Sequence, residues 1–473
     1  MKITKVLTGR VSGGSLRSAA VRVNEATNQR EAKAGMNTIK NALMRDMSKR
    51  QFLKTVGAGS LATMASPLYG GAAFAEGNGN RGVIASVPSY TNQYFTLWRL
   101  GGREAARALG LTYVMDSYEG SAPEQVSQLQ SAKSAGASQV VSFLIDSGAL
   151  PQVAQNLAQQ DIDLSVAFSI DPWVLPSEPR FGGHFVTSFL PQEVLGQKAM
   201  SKAVFDAIGG KGNVIYLEGA PTDTTSFMRT LGFKQALAES PGIKLLGMQF
   251  AGENQVSARP VIESFLTKFN NIDAVVCHDS SVALAVNASL RARGLKHVKV
   301  GGTDEEEAIL DDLIQGPNQV AVRSIFGSWL GGYAIVRNFD AAHGIKMSPV
   351  EHMMYQDALI IDTPEAARLY KKIGFHSATT GFDWKKMSRA LNPDSWDTQV
   401  AMVPMAPTQI FETDLQRPMP AGFTYPADFK AALDAGDVQK QAQIYRQHVK
   451  TNPFAPAIQA TKSGKTVMGF SYS

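Results

Sequence analysis

The amino-acid sequence predicts an α/β protein with two doubly wound, Rossmann-like lobes, and three observations carry that prediction. Short apolar runs alternate with helix-like segments from residue 82 to about residue 360. Most of these runs are continuously apolar, which is typical of parallel strands that are covered on both faces. Ten such strands are more than one compact sheet usually carries, so we expect two lobes.

The segments between the strands carry the apolar spacing of helices. In Gln192–Ile208, the residues Leu195, Met200, Val204 and Ile208 share one helix face and should pack on a sheet. Repeated alternation of strand and helix is typical of the doubly wound architecture. The predicted strands are Val83–Val87, Thr112–Met115, Val140–Leu144, Leu164–Phe168, Phe185–Ser188, Asn213–Leu217, Ile243–Phe250, Ala274–Cys277, Val298–Val300 and Val320–Ile325.

The pattern changes after about residue 360. Residues 364–473 contain Pro-rich loops and few strand-like runs, and their clearest helices are Asp428–Leu433 and Asp437–His448. We therefore expect an irregular, partly helical C-terminal extension that packs on the main body and has its own small core of Phe, Tyr and Trp. A free-standing domain is the alternative.

The first 75 residues carry the features of an export signal. The basic segment Ser48–Lys54 precedes a mildly apolar run, and Ala73–Ala75 forms a small-x-small cleavage site. The basic segment resembles the twin-arginine export motif with Lys49 in place of the first arginine, so the twin-arginine and general routes both stay open. A membrane anchor is the alternative, but the run is too polar for the roughly 20 mostly apolar residues of a span. We expect the protein to work in the periplasm.

The net charge of the chain changes sign at the end of this predicted signal, after residue 75. The whole sequence has 46 Lys+Arg and 41 Asp+Glu, and residues 1–75 hold 12 of the basic and 3 of the acidic residues. The remainder therefore has 34 basic and 38 acidic residues. The part that follows the signal is therefore mildly acidic. A nucleic-acid partner, which net basic charge would favour, is not expected.

Cysteine usage and the absence of known sequence motifs narrow the function further. The single Cys277 lies in an apolar run, so we expect a buried hydrophobic side chain and no disulfide framework. No phosphate-binding loop, His-Glu-x-x-His helix or Gly-x-Ser-x-Gly elbow occurs in the sequence. We expect neither an enzyme nor a cofactor or metal site.

Four segments in order then carry a resemblance to a known family. They are a Ser/Asn loop with an aromatic pair at residues 89–95, an Arg-x-x-Gly-Phe helix at 229–233, an apolar run before His278-Asp279, and the turn Val300–Asp304. Together they resemble the ribose-type periplasmic sugar-binding proteins of ABC transporters, from about residue 82 to residue 360. The body of lactose-repressor-like regulators is similar, but their N-terminal DNA-binding helices are absent from this sequence.

The resemblance implies a type I periplasmic binding protein, in which two lobes close on a ligand by bending at three crossover strands. It implies an N-terminal lobe of residues 81–187 with about 326–355, and a C-terminal lobe of 188–325 with about 356–363. Residues 1–75 and 364–473 then form the signal and the extension. The implied ligand-binding residues are Ser89, Asn92, Gln93, Tyr94, Phe95, Trp173, Arg229, His278, Asp279 and Asp304.

These residue types suit a sugar or polyol. A ring such as Phe95 or Tyr94 covers the C–H face of a sugar, while Asp304 and Arg229 accept and donate hydrogen bonds at its hydroxyls. Structural roles stay open for several of them: Phe95 in core packing, Arg229 in an ion pair, Asp304 at a helix N-terminus. His278 at a strand end and Trp173 after a strand are open in the same way.

The sequence departs from the ribose-binding pattern at Glu253, Thr303 and Ile325, so a ligand other than ribose is expected. The leading interpretation is a monomeric, exported solute-binding protein that delivers a sugar or polyol to a membrane ABC permease. The alternative is a periplasmic sensor that passes a signal to a membrane receptor or histidine kinase.

Overall fold

The computed structural model describes residues 82–472, except for residues 91, 145, 169, 221, 222 and 253. The predicted export signal and Glu253 lie outside the described residues. The described part of the chain belongs to a single compact unit, residues 77–473. None of the helices in the described ranges is long and apolar enough to cross a membrane.

The first lobe is built by the N-terminal half of the described chain. Five strands and three helices alternate, and helix α1 ends close to Gly110. These elements are β1 Gly82–Val87, α1 Gln93–Ala108, β2 Thr112–Ser117, α2 Ala122–Gln130, β3 Ala137–Phe143, α3 Leu150–Ala158, β4 Asp163–Ala167 and β5 Phe185–Pro191.

The second lobe follows directly in sequence and repeats the same alternation. Its elements are α4 Glu193–Ala207, β6 Gly212–Glu218, α5 Thr224–Ala238, β7 Ile243–Phe250, α6 Gln255–Lys268, β8 Ala274–Cys277, α7 Ser280–Ala292, β9 Lys299–Thr303, α8 Glu307–Gln315 and β10 Gln319–Ser324. Each of the ten predicted strands overlaps one of the strands β1–β10, so that prediction is confirmed.

The chain then returns to the first lobe with α9 Gly327–Ala342 and β11 Met353–Gln356, and contributes β12 Leu359–Ile361 to the second lobe. Seven strands form the first sheet in the order β13-β11-β5-β4-β3-β1-β2, and six form the second in the order β12-β10-β9-β8-β6-β7. Pairing is parallel except at β13 and β12, each antiparallel to its neighbour. The predicted α/β architecture with two doubly wound lobes is confirmed.

The C-terminal extension adds the last strand of the first sheet. Its elements are α10 Pro364–Gly374, α11 Trp384–Met387, β13 Met402–Pro404, a π-helical segment Thr408–Asp414, α12 Ala427–Asp434, α13 Asp437–Gln447 and α14 Ala455–Gln459. Sequence reasoning did not predict β11, β12 or β13, because their three or four residues show neither a strand period nor a continuous apolar run as long as that of β8.

Two sequence-based expectations about packing are wrong. Of the residues predicted to share one face of α4, Met200 and Val204 are buried as expected, but Leu195 is 47% exposed, because α4 turns Val194 inward in its place. The extension does not have a core of its own. Its aromatic residues, such as Trp384, join the same apolar clusters as the lobes. The prediction for Cys277 is confirmed, since this residue is fully buried at the end of β8.

Glycines allow the two central helices of the first lobe to touch. A Cβ atom on Gly101 of α1 would lie 1.7 Å from the carbonyl oxygen of Ser328, and one on Gly331 of α9 would lie 2.4 Å from the carbonyl oxygen of Trp98. The backbones of α1 and α9 are therefore in direct contact. This close packing fixes the N-terminal turn of α1, which carries the predicted aromatic pair.

Candidate ligand-binding cleft

The carboxyl ends of the strands of both lobes meet at one edge, where open α/β sheets bind their ligands. The Gln93 side chain, in the first turn of α1, accepts a hydrogen bond from the backbone N–H of Glu307 at 2.6 Å. Glu307 is the first residue of α8 in the second lobe. The two lobes are thus in contact across the space that the sequence predicts to bind a ligand.

The first lobe contributes a cluster of aromatic rings to this edge. Tyr94 and Phe95 are buried, and the ring of Phe95 meets the ring of Phe143 edge to face at 5.7 Å. Phe168 packs on Phe143 at 5.1 Å and on Tyr94 at 6.0 Å. Sequence reasoning found Tyr94 and Phe95 but missed Phe143 and Phe168, the last residue of β3 and the residue after β4. Their positions at strand ends were the available signal.

The second lobe contributes buried charges. Glu193, fully buried at the start of α4, accepts hydrogen bonds from the Arg229 Nε and the Arg323 Nη1 atoms, each at 2.7 Å. Arg229 also donates to the carbonyl oxygen of His278 at 2.9 Å. Burial raises the pKa of Glu193, but the charges and hydrogen bonds of Arg229 and Arg323 lower it by more, so the pKa lies below its usual value. Glu193 is therefore an ionised link between two arginines.

Asp304 lies beside this group and has an unused acceptor. Its Oδ1 atom is 3.6 Å from the Nη2 atom of Arg229, is buried, and has no hydrogen-bond partner. The residue follows β9 with φ +78°, a left-handed conformation that is uncommon outside glycine. Burial raises the pKa of its carboxyl to about 7 although Arg229 opposes the change.

A second unused polar atom comes from the first lobe. The Tyr94 hydroxyl is buried and has no hydrogen-bond partner. The pKa of this hydroxyl is raised mainly by burial and further by Glu305, Asp304 and Glu193, which places it close to the charges of the second lobe. Buried polar groups are almost always hydrogen-bonded, so two unpartnered atoms from opposite lobes indicate a place for a ligand.

Glu305, next to Asp304, differs from it because both of its carboxylate oxygens accept hydrogen bonds within the protein. Its carboxylate accepts hydrogen bonds from the backbone N–H groups of Ile325 at 2.9 Å and Gly327 at 2.7 Å, at the start of α9. A carboxylate at a helix N-terminus is stabilised by the orphan N–H groups and the helix dipole. Glu305 therefore links β9 to the second crossover, whereas Asp304 is left free to bind something else.

The other predicted residues of the second lobe are bonded within the protein. Asp279 caps α7 by accepting from the backbone N–H of Val282 at 2.7 Å, and its second oxygen lies 3.2 Å from the Nε2 atom of His278. That nitrogen also lies 3.2 Å from the carbonyl oxygen of Gly252. Both side chains are buried and border the edge occupied by Arg229.

The remaining residues of the first lobe lie in two places. Asn92 caps α1 through a hydrogen bond from the backbone N–H of Tyr94 at 2.8 Å, and Ser89 is half-buried in the loop before it. Trp173 lies elsewhere, since its ring packs on Phe411 of the extension at 5.1 Å. The structure therefore brings Tyr94, Phe95, Arg229 and Asp304 together and gives Trp173 a partner in the extension.

A cavity of about 220 Å³ lies next to this edge, at the carboxyl end of β6. It adjoins His278, because a Cβ atom on Gly219 would lie 2.6 Å from the His278 Nδ1 atom. The cavity is lined by Glu218, Gly219, Ala220, Ser226, Phe227, Thr230, Leu231, Lys234 and Gln416. Within the described ranges, no group of three or more His, Cys, Asp or Glu could hold a metal ion.

The arrangement can hold a neutral, hydroxyl-rich molecule. A guanidinium has five N–H donors, and the hydrogen bonds of Arg229 to Glu193 and His278 use three of them. Two donors of Arg229, the free acceptor of Asp304 and the hydroxyl of Tyr94 are thus available next to the aromatic cluster. Both arginines are fixed by Glu193, so the donors are held in place before a ligand arrives.

Comparison with known proteins finds relatives and similar structures for this chain. The D-apiose import binding protein of Actinobacillus succinogenes is 24% identical over 293 residues, which cover 62% of this chain and 92% of that protein. A twin-arginine translocation pathway signal protein from Burkholderia phytofirmans has a similar structure, with a TM-score of 0.57 and 23% identity over 61% of this chain and 91% of that one.

A periplasmic solute-binding protein of an ABC transporter from Actinobacillus succinogenes 130z, solved with bound D-allose, is also similar in structure. Its TM-score is 0.56 and its identity 21%, over 61% of this chain and 99% of that one. The family model described as a periplasmic binding protein domain matches residues 83–334. The chain therefore belongs to the periplasmic binding protein family.

Proposed function

We propose that this protein is an exported solute-binding protein, which captures a sugar or polyol between its lobes and delivers it to an ABC transporter permease. One observation carries the proposal. Two buried polar atoms without partners, the Tyr94 Oη and the Asp304 Oδ1, come from opposite lobes and lie beside an aromatic cluster. A hydroxyl-rich ligand that satisfied both atoms would hold the lobes together.

In this proposal Phe95 and Tyr94 cover one face of the ligand, and Arg229 and Asp304 bind its hydroxyls. Hydrogen bonds to charged groups contribute about 1.5–3 kcal/mol each. The other predicted residues support this group from within their lobes: Asn92 and Gln93 fix the first turn of α1, and His278 and Asp279 fix the second lobe. Ser89 is kept as a ligand contact at the edge of the cleft, whereas Trp173, whose ring packs on Phe411 of the extension, is not.

Relatives support the chemical class of the ligand. Similar proteins are named for D-apiose, for xylitol and for ribose import. The same relatives support a position outside the cytoplasm and a partner permease, in agreement with the export signal that the sequence predicts. The proposed division keeps residues 1–75 as the export signal and residues 364–473 as the extension. The way in which the described chain alternates between two sheets supports the two lobes.

A ligand screen tests the proposal directly. We expect thermal unfolding of the full-length protein to shift upward with at least one member of a panel that contains D-apiose, D-ribose, D-allose, L-arabinose, xylitol and myo-inositol. At a hundredfold excess over the dissociation constant, stabilisation should approach 2.7 kcal/mol. Titration calorimetry then gives the affinity.

The matched control is Lys430→Ala, which removes an exposed ion pair far from the cleft in sequence. This variant should bind the same sugar with unchanged affinity, while Asp304→Ala should not bind it. If no sugar or polyol of the panel stabilises the protein, a carbohydrate ligand is ruled out for this cleft.

A further inference from the structure

The C-terminal extension changes how the two lobes are connected. Up to β12 the chain passes between the lobes three times, at residues 191–193, 325–327 and 356–359. These passages lie side by side, since the backbone N–H of Gln192 donates to the carbonyl oxygen of Gln356 and the Gln356 side chain donates to the carbonyl oxygen of Ile325. They form one hinge.

The extension then crosses between the lobes twice more. Helix α10 packs on α8 of the second lobe, α11 packs on α1 and α9 of the first lobe, and α14 returns to α10 and β12. The family model ends at residue 334, so these additional crossings lie outside the segment that defines the family. Residues 371–384, which contain the first of these crossings, form the first tie. Residues 405–429 do not cross between the lobes but join them by side-chain contacts, and they form the second tie.

The first tie is fixed to the second lobe by charge. The Lys371 ammonium pairs with Asp311 and lies 3.4 Å from the carboxylate of Glu307, both on α8. The His376 ring nitrogen lies 2.6 Å from the same Glu307 carboxylate. Glu307 is also the residue whose backbone N–H meets Gln93 across the cleft, so this end of the tie lies where the two lobes touch.

The other end of the first tie is fixed to helix α1 of the first lobe. Glu104 accepts hydrogen bonds from the backbone N–H of Thr380 at 3.2 Å and from the indole nitrogen of Trp384 at 3.3 Å. The Trp384 ring lies against α9, where a Cβ atom on Gly332 would come within 2.4 Å of it. A short stretch of chain therefore joins α8 of one lobe to α1 of the other.

The second tie is held by apolar contacts. The ring of Trp173, in the first lobe, packs on Phe411 at 5.1 Å and on Phe423 at 5.0 Å, and its indole N–H donates to the carbonyl oxygen of Arg417. The same apolar cluster includes Met228 of α5 in the second lobe. Aromatic residues of this size bury roughly 150–250 Å² each, so this cluster is a substantial contact between the lobes.

We propose that the C-terminal extension is an intramolecular clamp, whose two ties join the lobes outside the three crossovers and limit how far the lobes open. Hinge bending needs only a few residues to change their backbone angles, but it separates every pair of contacts that spans the lobes elsewhere. Opening would have to break the ion pairs of the first tie or expose the apolar cluster of the second. The clamp concerns the lobes alone and does not depend on the ligand.

Distance measurement without ligand tests the clamp. Spin labels at Thr96→Cys and Val256→Cys report on the two lobes, because both positions are exposed and the native Cys277 is fully buried. We expect double electron–electron resonance to give one narrow distance distribution in the parent. Lys371→Ala with His376→Ala should broaden it towards longer distances, and the addition of Phe423→Ala should broaden it further.

The matched control removes Lys430 and Lys440, which form exposed ion pairs within the extension and should leave the distribution unchanged. Circular dichroism identifies variants that remain folded, and if the triple variant does not fold, the double variant decides. If the folded variant with Lys371→Ala and His376→Ala keeps the distance distribution of the parent, the proposal is overturned. A broad distribution in the parent itself would overturn it as well.

Discussion

Two buried clusters in this protein each place a glutamate between two arginines, and they differ in whether every polar atom has a partner. In the cleft cluster, Glu193 joins Arg229 and Arg323, and Asp304 and Tyr94 lie beside them. The Asp304 Oδ1, the Tyr94 Oη and the Arg323 Nε atoms have no hydrogen-bond partner.

The second cluster, here the core cluster, consists of Glu351, Arg337, Arg389 and Tyr445. The Glu351 carboxylate accepts from Arg389 at 2.7 Å and from the Tyr445 hydroxyl at 2.9 Å, and its other oxygen accepts from the backbone of Ser348. Arg337 donates to the Tyr445 hydroxyl and to the Glu351 carbonyl oxygen, each at 2.7 Å. None of the buried side-chain polar atoms of these four residues lacks a hydrogen-bond partner.

The two clusters differ in hydrogen bonding and not in the direction in which the pKa of their glutamate is shifted. Burial raises the pKa of Glu351, yet Arg337 and Arg389 lower it overall, and the same balance holds for Glu193. Charge pairing is thus similar in the two clusters. The difference lies in the buried atoms without a hydrogen-bond partner, which are the atoms that the proposed ligand would bond in the cleft cluster.

Removal of Glu351 should have the largest effect on stability. Glu351→Ala leaves Arg389 without its carboxylate partner and removes a nearby negative charge from the buried Arg337, and breaking a buried ion pair from one side typically costs about 3–5 kcal/mol. We expect the urea midpoint to fall accordingly, while the folded fraction still binds ligand. Asp434→Ala, in an exposed pair, should cost below about 1 kcal/mol. An equal loss in both variants would contradict the comparison.

Arg229→Ala should affect both binding and stability. The variant removes hydrogen bonds to a ligand worth about 1.5–3 kcal/mol, which corresponds to roughly ten- to hundredfold in the dissociation constant. Titration calorimetry with a sugar that binds the parent measures this loss. Arg389→Ala is the matched control from the core cluster and should lower stability while the dissociation constant stays unchanged. A normal dissociation constant for Arg229→Ala would remove it from the site.

Asp304 should make the stability of the empty protein depend on pH. Because its pKa is about 7 in the folded protein and near 3.8 when unfolded, the folded state holds more protons between these values. Stability contributed by the neutral form is present below about pH 4 and is lost as the pH rises towards 7, at up to about 1.4 kcal/mol per pH unit.

The difference in unfolding free energy between the parent and Asp304→Asn should therefore change across pH 4–7. Asp357 has a pKa that burial also raises to about 7, so Asp357→Asn is the matched variant for a site in the extension interface. When ligand is present, we expect the pH dependence of the stability difference to change for Asp304→Asn and to stay the same for Asp357→Asn. A pH-independent difference for Asp304→Asn would contradict its buried, unpartnered state.

Tyr94→Phe should give the smallest effect, with opposite signs for stability and binding. The variant removes a buried hydroxyl without a partner, so the free energy of unfolding should rise by about 1 kcal/mol, while ligand affinity should fall by about as much. In Tyr445→Phe a bonded hydroxyl is lost, so stability should fall and affinity should not change. Denaturation and calorimetry on the two variants decide whether the Tyr94 hydroxyl serves the ligand.

The ten main strands could be predicted because each is a local apolar run of sufficient length. The aromatic pair Tyr94–Phe95 and the charged residues Arg229 and Asp304 were found through a resemblance to a family, whose motifs lie at strand ends. Glu193 and Arg323 were missed. Arg229 lies 36 positions and Arg323 lies 130 positions from Glu193 in the chain, and nothing in the local sequence shows that both bind its carboxylate.

The sequence alone determined the α/β class, the two lobes and the positions of the strand ends, because apolar period and turn residues act over a few neighbours. Tertiary structure alone decided which polar atoms have partners and that the extension ties one lobe to the other. Those properties depend on contacts between distant segments, such as Glu104 with Trp384, and the free energy of such contacts is set by burial and geometry that no local pattern encodes.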